Sequence, residues 1–199
     1  KLEKSILDSD ERIKKVSYCN YQENAVVTQI INSKGVNLSR NLSYSSVFAG
    51  AVAEANGETA VGFSGDIGYE FEKLELERIR KEVVEDATGT LGAGSIETGT
   101  YPVVFRRSVA TELLQAFVSL FSGESAKKNL TLLKGKEGTK VFGDNITIYD
   151  DPFVENAIVK IPFDDEGVPC HTKTLMENGV FKMFLHNLAT ADYFQTAST

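Results

Sequence analysis

The 199-residue chain has little of what metal and nucleophile sites are built from: two histidines and two cysteines. Cys170 and His171 are adjacent, and adjacent strand residues point to opposite faces, so they do not converge on one ion. His186 has no histidine or cysteine within four residues. The pattern argues against a compact zinc motif and offers no Ser–His–Asp arrangement for nucleophilic attack. Cys19 and Cys170 lie far apart and make no paired-cysteine motif, so a reduced, cytosolic pair is expected. Long apolar runs are absent too. The longest small-apolar run, Val47 to Ala53, is broken by Gly50 and falls far short of the ~18 residues of a membrane helix. The opening KLEKSILDSDERIKK is charged and has no apolar core, so no secretory signal is visible and a cytoplasmic protein is expected. It begins without methionine, and a longer native protein is expected.

Excess positive charge is lacking as well. A net charge of −7 and a pI near 5.0 weigh against phosphate neutralisation, so neither nucleic acid nor a membrane is an expected partner. Lys127, Lys128, Lys134, Lys136 and Lys140 form a local basic cluster, diluted by Glu124 and Glu137. It reads as a solvated loop more readily than as an anion contact. Asp150-Asp151 and Asp164-Asp165-Glu166 lack the alternating ligands and central glycine of a calcium loop, and turn chemistry explains them.

What is present is an ordinary globular composition, 42% hydrophobic and 25% charged, enough for one large domain or two small ones. Leu2–Leu7 reads as a helix closed by Asp8-Ser9-Asp10. From Arg12 to Phe71 the pattern turns to strands: Val16 and Tyr18, the Ala25–Ile31 run, Val47–Ala55 and Glu58–Tyr69. Asn56-Gly57 is a strong type I′ hairpin signal, and Ser33-Lys34-Gly35 a weaker turn. Gly62, Gly65 and Gly68 lack a following helix start; bulges or a sheet-edge loop suit them better than a phosphate loop. A charged amphipathic helix follows at 74–88, with Leu76, Ile79, Val83 and Val84 as its stripe and Glu77–Lys81 as a favourable pair. Gly89, Gly92 and Gly94 then make the best internal boundary, dividing 1–94 from 95–199.

The second half carries a short strand, Tyr101–Phe105, and an apolar helix at 108–122. Ser108 suits its N-cap and Gly123 its left-handed C′ position. Val109, Leu113 and Phe117 stack at i, i+4, i+8 beside Leu114, Val118 and Phe121, a stripe wide enough to predict a largely buried helix. A strand ending at Asp150-Asp151-Pro152 follows, then strands at Ala157–Pro162 and Lys173–Met176. The Asn178-Gly179 hairpin leads to Val180–Leu185 and a short helix from Asn187 to Phe194. The expected fold is α+β: antiparallel hairpins, two main helices and a C-terminal hairpin region. Tyr101, Phe105, Phe117, Phe142 and Tyr149 read either as core or, less readily, as the lining of an apolar cleft for an extended peptide.

The order YPVVF, LL, SGES, LLKGKEG and ITIYDDP between Thr98 and Pro152 resembles the TldD/PmbA family. That family pairs a zinc-dependent peptidase subunit with a related subunit that carries no metal. The resemblance implies that catalytic members place His-Glu-x-x-x-His where this chain reads Gln115-Ala116-Phe117-Val118-Ser119-Leu120. They complete the site with a cysteine in a later region. Gln115 supplies only an amide, Ala116 no base and Leu120 no ligand, so no hydrolytic zinc site follows from them. Residues five apart also lie about 140° apart on an ideal helix, which a shared metal would not tolerate without distortion.

The resemblance therefore implies a non-catalytic, metal-free TldE/PmbA-type subunit with no cofactor of its own. Zinc is expected only in a TldD-like partner, and the substrate is unfolded or ribosomally made peptide. Two alternatives stay open. One is a peptidase active through a site completed by further segments. The other is a homodimer or larger homo-oligomer that binds without hydrolysis.

Overall fold

The structure, a computed structural model, describes residues 1–155, 157 and 159–199. Residues Lys1–Val27 with Asn41–Gly99 form one compact unit, and Thr28–Arg40 with Thr100–Thr199 form the other. The class is α+β.

The first unit holds helix α1 (Leu2–Leu7), strands β1 (Ile13–Ile31), β2 (Asn37–Ala55) and β3 (Glu58–Gly68), and helix α2 (Leu76–Gly89). The residues of β1 and β2 between Val27 and Asn41 belong to the second unit. The sheet order is β1-β2-β3, and β2 pairs antiparallel with β3 from Ser45↔Gly68 to Ala55↔Glu58. Asn56 (φ 52°) and Gly57 (φ 80°) make the turn between them. Both residues need positive φ, which asparagine and glycine adopt at least cost. On β2, the alternation of Val47, Ala49, Ala51 and Ala53 puts four small side chains on one face, all buried. Ile79, Val83 and Ala87 of α2, with Leu74, Ile6 and Ile13, complete this core.

Small residues matter because they let the helix come close. A Cβ on Gly62 of β3 would collide with the carbonyl of Val83 and the amide of Ala87. Gly62 is thus where the backbone of α2 rests on the sheet, not the bulge or edge loop its spacing suggests. Gly65 accommodates the Phe48 ring, the cross-strand neighbour that a Cβ there would strike. Arg78 fastens the start of α2 to the end of β3: its guanidinium lies 3.0 Å from Asp66, 2.6 Å from Glu75 and 2.9 Å from Glu82. The expected Glu77–Lys81 pair does not form. Glu77 binds Arg80, and Lys81 lies 3.8 Å from Glu85.

The second unit is built of short elements. Helix α3 (Arg107–Phe117) runs into a 3₁₀ stretch, Val118–Phe121, and then α4 (Gly123–Lys127). Strands β4 (Ile148–Asp150), β5 (Lys173–Glu177) and β6 (Val180–Phe181) form a sheet in that order, and α5 (Leu188–Phe194) follows. The Asn178-Gly179 turn has φ of 48° and 77°, as its dipeptide predicts. The core is aromatic: Phe181 lies 6.1 Å from Phe121 and 4.8 Å from Phe184, between ring centroids, with Leu133, Leu175 and Met176 around them. Paired backbone bonds clasp this core, Leu185 N–H to Phe121 O and Gly123 N–H to Leu185 O, both 2.7 Å. At the turn end of the β1–β2 hairpin, Arg40 donates to the Phe163 carbonyl at 3.0 Å and stacks over the Phe163 ring.

Several expectations need correction. Val16, Tyr18 and Ala25–Ile31 belong to one 19-residue strand, because the polar Asn20–Asn24 segment sits on a strand exposed on both faces. Tyr101–Phe105 is not a strand, since no described strand pairs with it. The 108–122 helix is two elements, α3 and the 3₁₀ stretch, with Ser122 as the N-cap of α4. The N-cap of α3 is Arg106, whose side chain makes no capping bond, and Gly123 opens α4 rather than taking a left-handed cap. The expected strand Ala157–Pro162 includes Ile158, which lies outside the described residues; those around it carry no strand.

The close approach at Gly62 has a measurable consequence. Gly62→Ala is expected to destabilise by about 1–3 kcal/mol, the usual range for overpacking against a surface that cannot yield. Gly89→Ala, with open space around it, is expected to be neutral or to stabilise by up to ~1 kcal/mol. Urea midpoints of the two variants decide it, and equal midpoints would disprove the contact.

Candidate functional site

Sequence resemblance directs attention to α3, and the structure leaves that helix uncovered. Val109, Leu113, Leu114, Phe117 and Val118 are each 44–53% exposed, and no residue of α3 is buried. This overturns the reading of a core helix. The stripe is real, but its width measured how much surface seeks cover, not that this chain supplies it. An uncapped helix of 11 residues is marginal in water without tertiary contacts. Before it, Val103 and Val104 are 64% and 96% exposed. Only the continuation of the helix is anchored: Leu120 is half-buried against the aromatic core, and Phe121 is 3% exposed within it.

The positions compared with a zinc helix fall across this change. Gln115 and Ala116 are exposed on α3, while Leu120 sits on the 3₁₀ stretch. Phe117, at the junction, has φ −101° and ψ −1°, so ideal-helix angles do not relate Gln115 to Leu120. An amide, a methyl and an isobutyl group do not fit a zinc ion in any case. Among the described residues, no three histidine, cysteine, aspartate or glutamate side chains gather to hold a metal. Tyr101, Phe105, Phe117, Phe142 and Tyr149 are all 48–59% exposed, which overturns the core reading for each. Among the described residues, Phe105, Phe117, Phe142 and Tyr149 make no ring–ring contact with one another.

A cavity of about 340 Å³ with several charged side chains on its walls lies beside α4 and was not legible in the sequence. Its walls include Glu124, Asp150, Asp164, Cys170, Lys173 and His186, drawn from five separate stretches with no common motif. The Lys173 side chain is 5% exposed and lies 3.0 Å from Asp150. Cys170 and His186 both face this space, whereas His171 does not line it. Burial pushes the Cys170 thiol up from its ordinary value, which disfavours the thiolate a nucleophile needs. Burial pulls His186 down, opposed weakly by Glu137. The His186 ring rests on Gly123, sits between Phe184 and Phe194, and has Nδ1 3.3 Å from the Thr190 hydroxyl.

Helix-on-sheet in one unit and an aromatic core of short elements in the other match a metallopeptidase-related class of protein. Residues 1–91 match the model of the PmbA/TldA metallopeptidase central domain, and 98–199 that of its C-terminal domain. The chain belongs to the PmbA/TldD family. It is 27% identical over 190 residues to a metalloprotease of Methanocaldococcus jannaschii, covering 92% of this chain and 41% of that protein. It is 24% identical over 184 residues to metalloprotease PmbA of Escherichia coli O157:H7, with the same coverage. A solved structure from Thermotoga maritima, named for a proposed modulation of DNA gyrase, superposes with a TM-score of 0.92 at 33% identity. That match covers 100% of this chain and 46% of the other. The chain thus spans somewhat under half the length of these relatives. TldE from Thermococcus kodakarensis shares the fold, with a TM-score of 0.83 at 24% identity, covering 100% of this chain and 45% of that one.

Two measurements test this description. In the chain as described, Phe117→Ala is expected to cost less than about 1 kcal/mol, and Phe121→Ala about 3–5 kcal/mol. The reverse order would place α3 in the core. His186, held neutral by burial, contributes stability that is complete above its ordinary value near 6.5 and is lost as pH falls through its lowered folded value. Denaturation midpoints should therefore fall on acidification below about 6.5, and less so in His186→Gln.

Proposed function

We propose that this chain belongs to the metal-free, non-catalytic subunit of a TldD/TldE-type peptidase assembly acting on unfolded or ribosomally made peptides in the cytoplasm. The observation that carries the reading is α3. It holds Gln115 and Ala116, and leads into Leu120, where the resemblance places two ligands and a base. None of the three can bind zinc or take a proton. The helix keeps an apolar stripe that nothing among the described residues covers, so its remaining work is contact.

In this reading, the stripe from Val109 to Val118 packs against protein outside this chain. A zinc-bearing TldD-like homologue supplies the hydrolytic centre. The exposed rings of Tyr101, Phe105, Phe117, Phe142 and Tyr149 give apolar lining to a shared cavity, where extended peptide binds by side-chain burial rather than by sequence. The same stripe would also serve a homodimer, and the partner is what the experiment determines. Among the described residues, no helix is long and apolar enough to cross a membrane.

The test uses the full-length protein, alone and mixed with its zinc-bearing homologue. Dialysed protein alone is expected to hold no stoichiometric zinc and to leave unfolded peptide intact, while the mixture cleaves it. Leu113→Asp should abolish association without unfolding the chain, because Leu113 is 45% exposed. One zinc per chain with cleavage by the protein alone would overturn the proposal. Wild-type sedimentation as a stable dimer without the homologue would favour the homodimer.

A further inference from the structure

The first unit contains a second cavity, of about 620 Å³, which the peptidase reading does not use. We propose that it binds an organic cation, the ammonium or guanidinium end of a flexible aliphatic stem. Glu23 from β1, Ser45 from β2, and Tyr69, Glu70, Phe71 and Glu72 after β3 line it.

The charge on its walls is one-sided. Glu23 accepts from the Tyr21 hydroxyl, and Glu70 lies 2.9 Å from Lys73. Glu72 forms no ion pair with any described residue. Three carboxylates thus line the cavity and, among the described residues, no lysine or arginine does, and a single positive group entering it relieves their repulsion.

Carboxylates alone attract any cation; the rest of the cavity decides which. A metal ion needs several oxygens within about 2.0–2.6 Å, and among the described residues no group of acidic side chains gathers closely enough to supply them. Aromatic rings favour a different guest. Tyr69, Phe71 and Tyr21 are 43–45% exposed, and Tyr21 meets Phe71 nearly edge-on, at 77° between ring planes. An edge-on pair leaves ring surface open, and such surface attracts organic cations, the weakly hydrated guanidinium group more readily than the strongly hydrated ammonium. The volume is several times that of the charged group itself, room for a lysine-like or arginine-like stem lying on the rings. The buried Ser45 hydroxyl, 3.4 Å from that of Tyr21, offers an acceptor at the strand side. Such a group arrives either on a side chain of another polypeptide or on a free amine.

The experiment follows the ring resonances of Tyr21, Tyr69 and Phe71 by NMR in titrations of the full protein. The probes are agmatine, a capped tripeptide Ala-Arg-Ala and its citrulline counterpart, which has the same shape without the charge. Agmatine and the arginine peptide are expected to shift these resonances, and the citrulline peptide is not. Binding should weaken on raising salt, and Glu72→Gln or Tyr69→Leu should each weaken it by about 3- to 10-fold. Because agmatine carries two positive charges and the capped peptide one, the source is decided at equal charge with n-butylguanidinium: tighter binding of the arginine peptide identifies a polypeptide side chain as the guest, and tighter binding of butylguanidinium identifies a free small cation. Glu72 is exposed and unpaired, so its neutral variant keeps the fold and reads binding alone. The proposal is overturned if neither cation shifts the rings at about 10 mM, if citrulline binds as well as arginine, or if Glu72→Gln changes nothing.

Discussion

The first unit depends on a side chain that is not there. Without a Cβ at Gly62, the backbone of α2 at Val83 and Ala87 lies directly on β3, and Ala49, Ala51 and Ala53 beneath it need no more than their methyl groups to fill the gap. Close-packed interiors forfeit dispersion energy wherever a gap opens, so the small residues on the strand and the helix position must agree. Arg78, reaching Asp66 and Glu82 from the rim, sets the helix in register but lies too near solvent to replace that contact.

The second unit reverses the arrangement. Its core is made from large rings on short elements, clasped by backbone bonds between Phe121 and Leu185. The most apolar helix stands outside that core. A stripe of five half-exposed apolar side chains is surface of the kind that marks contact sites, and Gln115 and Leu120 beside it offer no group that holds a metal. Family membership rests on residues 1–91 and 98–199, while the proposal of a subunit without catalysis rests on these few positions.

How much was legible in the sequence follows from the range of the forces involved. The two asparagine–glycine turns are local, since positive φ at Asn56 and Asn178 is decided by the dipeptide itself; both turns are foreseen to the residue, whereas the strand expected at Val180–Leu185 ends at Phe181 and that expected from Val47 starts at Asn37. The alternation along β2 and the stripe of α2 are local patterns as well. What eludes the sequence is tertiary. Periodicity shows that α3 has an apolar face but not whether another segment covers it. The spacing of Gly62 and Gly65 suggests irregular backbone, because nothing local reveals that a helix and a ring come to rest there. The Tyr101–Phe105 run has strand composition without a strand partner. Neither cavity has a motif, because each is assembled from segments far apart in the chain.

One feature of the hairpin bears on how the protein is made. The second unit is discontinuous, taking Thr28–Arg40 from one part of the chain and Thr100–Thr199 from another. Arg40 meets Phe163 across a separation of 123 residues. Forming that contact closes a long loop, whose entropic cost grows only slowly with length but whose search slows folding. During synthesis, the hairpin end leaves the ribosome well before the turn at Phe163 exists. It must wait in water until Phe163 and Gly167 arrive to meet Arg40 and Val36, so the ribosome's progress, rather than local propensity, sets when the second unit can close.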